Sequence, residues 1–433
     1  MPTHDNPARA ELFRDRNFRW LIGGGSLSLL GDQFTLIALP WLVLTMTGDT
    51  LVLGTVLALI SVPRALFILV GGAIVDRYSP KQVLMITKYV NTVLLGALAA
   101  LVFTGTLTLP LVYALSLGIG LATAFSIPSG TAMMPHVVQP AQLQAANSIQ
   151  LGLRQLSMFV GPLLAGLLIA LFGDGAGGAG SAMANAQGIA VAFAFDAFSF
   201  GITIWTLAQV KTRPTPPRTA GPTPAVWASI AEGLRHFWRD VELRTCFIYW
   251  SAIALLIMGP IHIALPVLAS TQPGLGAAAF GIMVGAHGAG TLAGMIASGV
   301  KSNLRIGSLG TTILAFDAVI GLLFIPMGQI GAAWQGAGLM LTIGLLGGFM
   351  QVAVFTWIQR RVPPALLGRA MSLFMFIFMG LAPVSAAITG WIMRGITLGQ
   401  LFAGCGATLV VLAVIAFVGS QMRNVTDASP ATR

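Results

Sequence analysis

Charge is what this chain has least of. Asp, Glu, Lys and Arg make up 8% of its 433 residues, whereas apolar residues make up 56%. So little charge cannot clothe so much apolar side chain in water, which excludes a soluble globular protein and points to one that crosses a membrane many times. Cysteine is almost absent. Cys246 and Cys405 stand alone in apolar runs, so no disulfide framework, metal cluster or redox pair is expected, and a packing role is the plain reading. The five histidines are scattered without acidic or nucleophilic partners, and there is no HExxH and no Gly-rich phosphate loop. An enzyme, a bound cofactor and an ATP site are therefore not expected. Acidic residues number 13 against 23 basic ones, a net charge of +10 that would suit nucleic acid if the surplus were spread over a surface. It is concentrated in alternate loops instead, as membrane topology requires, so no nucleic-acid partner is expected.

The first 16 residues are polar, with Arg9, Arg14 and Arg16, and lack the apolar core of a signal peptide. A retained first span is predicted from about 18 to 46, followed by spans at roughly 51 to 75, 82 to 104, 109 to 134, 145 to 172 and 186 to 208. Residues 209 to 224 are Pro-rich and basic and read as a linker. From 225 to 242, Trp227, Ile230, Leu234, Phe237 and Val241 recur at helical spacing opposite Arg235, His236 and Arg239, the pattern of an amphipathic helix lying on an anionic leaflet. Six further spans are predicted at about 245 to 270, 276 to 300, 307 to 328, 334 to 358, 370 to 394 and 399 to 420. The expected organisation is a six-helix bundle over 1–208, a linker with its surface helix over 209–243, and a second six-helix bundle over 244–433.

The N-terminus, the even-numbered loops and the C-terminus carry 20 of the 23 lysines and arginines, and the opposite side has only Arg394. Both termini are therefore expected in the cytoplasm. The two left over, Arg64 and Arg154, are taken as the only basic residues inside the spans. The halves also repeat: VQPAQLQAANS at 138–148 aligns with VPPALLGRAMS at 362–372, and IALPWL at 37–42 with IALPVL at 263–268. Two related bundles that rock about a site near mid-membrane are implied.

A short polar break at 71–84, GGAIVDRYSPKQVL, joins the second and third spans and is compact enough only for a tight turn between antiparallel helices. With RNFRWLIGGGSLSLLGD at 16–32, PHVVQPAQLQAANS at 135–148 followed by GPLLAG, and RRVPPALLGRAMS at 360–372, it resembles the major facilitator superfamily, and within it the bacterial efflux branch of macrolide and enterobactin exporters. Gly72, Asp76, Arg77, Lys81 and Leu84 match the family loop in place, while Ser79 and Pro80 depart from it. The fourth helix also lacks the Arg of the best-known proton-coupled drug exporters. The resemblance implies an all-α fold of twelve transmembrane helices in two pseudo-symmetric six-helix bundles. It also implies a conformational switch loop formed by Gly72, Asp76, Arg77 and Lys81, with Arg369 at the start of the eleventh helix. Gly161, Pro162 and Gly166, after Gly152, resemble the fifth-helix Gly-Pro signature of antiporters, in which small residues and a bend form a gate.

Among intramembrane polar residues, Asp32 stands out. It lies about 14 residues into the first helix, roughly 20 Å along its axis and near mid-bilayer. A carboxylate there is costly unless paired, solvated or protonated, so proton or substrate handling weighs against a static structural pair. Arg64 and Arg154 belong to helices that line the cavity in the family fold, where they could pair Asp32 or read an anionic substrate group; snorkelling competes for Arg154. Asp196 and Asp317 lie on helices peripheral in that fold and read better as satisfied hydrogen-bonding groups. His287, among Gly285, Gly288 and Gly290, could titrate or simply fill space, and His262 beside Pro260 is weaker. Met371, Met375 and Met379, with Phe374 and Phe378, could form an adaptable apolar wall or ordinary packing.

The expected function is secondary active efflux of a small amphipathic or apolar compound across the bacterial inner membrane by proton antiport, from a monomer with no cofactor. Its partners are a small-molecule substrate, protons and the lipid bilayer. The alternatives are a lysolipid flippase or metabolite importer on the same scaffold, or a sensor that does not transport.

Overall fold

The computed structural model describes residues 11–77, 79–139, 142–173, 186–212, 238–300, 305–362, 370–371 and 373–426, with backbone only at 65, 68–77 and 144. Among these residues the chain is helical throughout, without a strand. The spans in order are α1 (Arg16–Thr47), α2 (Thr50–Arg77), α3 (Pro80–Phe103), α4 (Leu109–Met133), α5 (Leu143–Phe172) and α6 (Gln187–Gln209). They continue with α7 (Val241–Thr271), α8 (Ala277–Val300), α9 (Leu309–Met327), α10 (Ala333–Arg361), α11 (Leu373–Ile392) and α12 (Leu398–Gly419). Eleven of them are long and apolar enough to cross a membrane, and α2 has a shorter apolar stretch, Thr50–Arg64. Each predicted span coincides with one of these helices to within a few residues. Most of the amphipathic pattern at 225–242 lies outside the described residues, and Val241 already begins α7.

The helix ends follow from local chemistry. Asp15 caps α1 by accepting from the Asn17 amide at 2.8 Å, and Gly48 ends that helix at φ 62°, a conformation that suits a residue without a side chain. Pro80 opens α3, where a missing amide hydrogen costs nothing. Thr397 and Gln400 form a reciprocal capping box on α12. In α7 the α-helix gives way to a π-helical turn at Pro260–Ala264, and α11 carries another at Phe376–Gly380. Proline removes a backbone hydrogen bond in the first case, and such turns break the regularity of two otherwise long apolar helices.

Two compact units form. One comprises Met1–Pro216 with Ala269–Gly285; in it α1 packs on α5 and α6, α2 on α4, and α3 on α4 and α6. The other comprises Pro217–Leu268 with Ala286–Arg433; in it α7 packs on α11, and α9 on α10 and α12. The core of the second unit is aromatic. Trp250 meets Trp357 and Phe374 edge to face at 6.2 and 5.4 Å. Large apolar side chains cover the outside as well, with Leu171 72%, Val300 77% and Val418 71% exposed. Such a surface is unfavourable in water and suits hydrocarbon, so the helices satisfy their backbone internally and turn their apolar side chains to lipid.

Candidate functional site

The site grows from one stripe of α1. Ser28, Gly31, Asp32 and Thr35 lie one above another at helical spacing and put small or polar groups where neighbouring helices come close. Gly31 is there because nothing larger fits: a Cβ would stand 2.5 Å from Asp196 Oδ1. Asp196, on α6, is 1% exposed and accepts hydrogen bonds from the Thr35 hydroxyl and, at 3.3 Å, from Ser199. Thr203 Oγ1 ties the same pair of helices together by donating to the Gly24 carbonyl at 2.9 Å.

Behind this stripe lies a residue that loop counting misplaced. Lys88 is not a loop residue but part of α3, 9% exposed, so the intramembrane cations are Arg64, Lys88 and Arg154 rather than the two arginines alone. Its ammonium donates to Ser28 Oγ at 2.6 Å and stands 4.1 Å over the Phe200 ring, which takes a second share of its charge. One turn on, Asn91 is 3% exposed, and its Oδ1 has no partner among the described residues.

Asp32, on the same stripe, keeps open surface although it sits in the middle of a span. The cations acting on it are Lys88, then Arg64 and Arg154. Lys88 also acts on Asp196, and Asp196 and Asp32 oppose each other as like charges. Arg64 is half-buried and Arg154 is exposed. The four charges that act on Asp32 come from separate helices: α2 supplies Arg64, α3 Lys88, α5 Arg154 and α6 Asp196. A carboxylate so placed can carry a proton or a charge, and whichever it does changes the field on three cations at once.

The fifth-helix glycines make close approaches. A Cβ on Gly161 would stand 2.5 Å from Cβ of Gln33, and one on Gly166 would stand 2.6 Å from the Ala277 carbonyl and 2.9 Å from Cα of Gly281. Nothing lies within 4 Å of the same position on Gly152. Pro162 interrupts α5 between the two contacts.

His287 belongs to the second unit. It belongs to a glycine seam between α8 and α10, where a Cβ on Gly294 would stand 2.8 Å from the Phe349 amide nitrogen and one on Gly348 2.8 Å from Cα of Thr291. Its ring is hydrogen-bonded to the Met340 backbone, and Nδ1 is buried without a partner among the described residues. Asp317 is 7% exposed beside the buried Tyr249 hydroxyl. Of the sulfur and aromatic stripe on α11, Met375 and Met379 are exposed, whereas Phe374 packs against Trp250 and Phe355.

In the polar turn, Lys81 Nζ donates to the Val210 carbonyl at 2.7 Å and the Ala208 carbonyl at 3.3 Å, placing a cation on the negative end of α6. Gly72, Asp76 and Arg77 are described by their backbone alone, and Arg369 lies outside the described residues.

The family model described as Major Facilitator Superfamily matches residues 21–387. The multidrug efflux pump Tap of Mycolicibacterium fortuitum is 30% identical over 50% of this chain, and the chain spans only half the length of that relative. Tap of Mycobacterium tuberculosis (strain ATCC 25618 / H37Rv) is 24% identical over 90% of each chain. The enterobactin exporter EntS of Escherichia coli O1:K1 / APEC is 24% identical over 81% of this chain and 77% of its own. Among solved structures, a bacterial homologue of the iron transporter ferroportin in an inward-facing state superposes with a TM-score of 0.68 at 15% identity, covering 93% of this chain and 98% of that one. The nucleoside transporter NupG gives 0.66 at 16% identity over 91% and 96%. At these identities the structural matches speak for the fold alone.

Proposed function

We propose that this chain, which belongs to the major facilitator superfamily and is a membrane transporter, exports a small amphipathic or apolar compound in exchange for protons. The observation that carries the coupling is Asp32, a carboxylate with open surface in the middle of α1 on which three intramembrane cations act. Protonating it removes one negative charge from among Lys88, Arg64 and Arg154, and that charge is a difference two conformations can compete over. Efflux is favoured by the names of the sequence relatives, a multidrug efflux pump and an enterobactin exporter. The glycine contacts of α5 fit a helix that opens and closes as a unit. The membrane potential supplies about 2.3 kcal/mol per charge per 100 mV, enough to drive such an exchange without a nucleotide. The proposed setting is the bacterial inner membrane, with both termini in the cytoplasm, and the working unit is a monomer. In this reading Asp32 with Arg64 and Arg154 carries the coupling. His287, held in a helix seam, is the second candidate.

Transport assays in inverted membrane vesicles, run over a panel of dyes, macrolides and siderophores with and without an imposed pH gradient, test direction and scope. Gradient-dependent uptake of at least one compound is expected. If cells lacking the protein show only failure to use a nutrient or to recycle a lysolipid, an importer or flippase takes its place.

A further inference from the structure

Of the three cations that act on Asp32, Lys88 is the most deeply buried. Its surroundings are built rather than incidental: an ammonium 9% exposed, hydrogen-bonded to Ser28 of α1 at 2.6 Å, 4.1 Å above Phe200 of α6, with Asp196 fixed by Thr35 and Ser199 on the same helix as that ring. An ammonium has three hydrogens to place and is expensive to bury alone. Here the charge is shared. Asp196 acts on it from the dry side of α1, and Asp32 acts on it from the open side.

We propose that Lys88 is the positioning residue that sets the proton affinity of Asp32, with Asp196 as the fixed counter-charge that limits how much of the lysine Asp32 receives. The proposal rests on the reading that Asp32 exchanges protons. Among the charges of the first unit's other helices that act on Asp32, Lys88 comes from α3, Asp196 from α6, Arg64 from α2 and Arg154 from α5, and α4 carries no charged residue. Arg64 and Arg154 keep surface of their own and can turn toward water or a substrate. Lys88 and Asp196 are closed off from both, so they keep their places while Arg64 and Arg154 can move. The proton arrives from water on the open side, bonds to an Asp32 oxygen and leaves the same way; Lys88 keeps its own protons throughout.

Opposite signs make the idea testable. An opposite charge within about 4–6 Å shifts a carboxylate by about one to three pH units, and a like charge acts the other way. Infrared difference spectroscopy of the purified full-length protein in lipid, titrated with pH, reads the carboxyl band of protonated Asp32, identified by its loss in Asp32→Asn. It needs no transported compound. In Lys88→Met the midpoint of that band should move up by about one pH unit or more, and in Asp196→Asn it should move down. Lys88→Arg should leave it close to the parent's, and Lys88→Met combined with Asp196→Asn should shift it less than Lys88→Met alone. Should Lys88→Met not be recovered folded, the downward shift in Asp196→Asn decides. An unmoved midpoint in Asp196→Asn, shifts of the same sign in both single variants, or no titrating Asp32 band would overturn the proposal. If instead the midpoints move as stated but Asp32→Asn still transports with full dependence on the pH gradient, the antiport reading fails and the role of Lys88 stands.

Discussion

Arg361, at the end of α10, meets Asp240, at the start of α7, fork to fork: Nε to Oδ2 and Nη2 to Oδ1, both at 3.0 Å. The third arm, Nη1, reaches Glu242 at 2.7 Å, and the guanidinium lies 5.6 Å from the Trp357 ring. Asp240 works twice, since its Oδ1 also accepts the amides of Glu242 and Leu243 at 3.0 and 3.1 Å and so caps α7. One guanidinium thereby fixes the first turn of α7 against the last turn of α10, with each charge on the favourable end of its helix.

Truncating the fork should loosen that end of the second unit. Arg361→Ala is expected to cost about 1–3 kcal/mol, read as a lower melting temperature of the detergent-solubilised protein, because it removes charge-assisted hydrogen bonds and leaves two acids facing each other. Arg361→Lys should recover only part of the loss, since an ammonium cannot match the fork. A melting temperature equal to the parent's in Arg361→Ala would show that the pair is idle.

The same contact makes stability depend on pH. Burial raises the Asp240 carboxyl, but the Arg361 hydrogen bonds, the amides of Leu243 and Glu242 and the Arg361 charge outweigh it, so the net displacement is below the ordinary carboxylate range. A carboxylate lowered on folding stabilises above its unfolded value, about 3.9, and that contribution is lost as pH falls through the lower, folded one. Thermal stability of the parent should therefore drop as pH is taken down through this range, and Asp240→Asn should show a shallower drop. Parallel curves for the two proteins would contradict the assignment.

The α5 glycines offer a contrast between positions. A side chain on Gly166 meets the Ala277 carbonyl and the Gly281 backbone, which cannot rotate away, whereas Gly152 faces open space. Gly166→Val should therefore force α5 off the first part of α8, with an overpacking cost of about 1–3 kcal/mol and a clear loss of transport. Gly152→Ala should transport like the parent, and equal transport by both variants would remove the gate role from Gly166.

His287 separates seam packing from coupling. Its ring is anchored to the Met340 backbone in a stretch where α8 and α10 touch through glycines. His287→Gln should keep the dependence of transport on the pH gradient while lowering the melting temperature. Loss of that dependence with full stability would instead move His287 into the coupling site.

All twelve spans were legible because apolar runs of spanning length, separated by Gly, Pro or charge, leave little freedom in where helices begin and end. Asp32 was legible for a related reason, since an acid in the middle of such a run has to be explained. Lys88 was not. It follows Lys81 by only seven residues, and counting basic residues by loop absorbed it into the turn. The signal available was the polar cluster around it in the third helix, Thr87, Asn91 and Thr92, matched by Ser28 in the first and Asp196, Ser199 and Thr203 in the sixth. Which of these residues meet depends on helix rotation, which periodicity fixes poorly in helices apolar on every side. The π-helical turns in α7 and α11 escaped for a similar reason: Pro260 hints at one, and nothing in FIFMG announces the other.

Coupling of proton movement to export through Asp32 is tested best by following protons rather than substrate. Inverted vesicles containing the parent or Asp32→Asn at equal levels are given an inward-acid pH gradient, and lumenal pH is recorded as a compound taken from the panel is added. The compound should drain the gradient in the parent and leave it untouched in Asp32→Asn, although that variant still binds the compound and sits in the membrane. Equal drainage by both would place the coupling elsewhere.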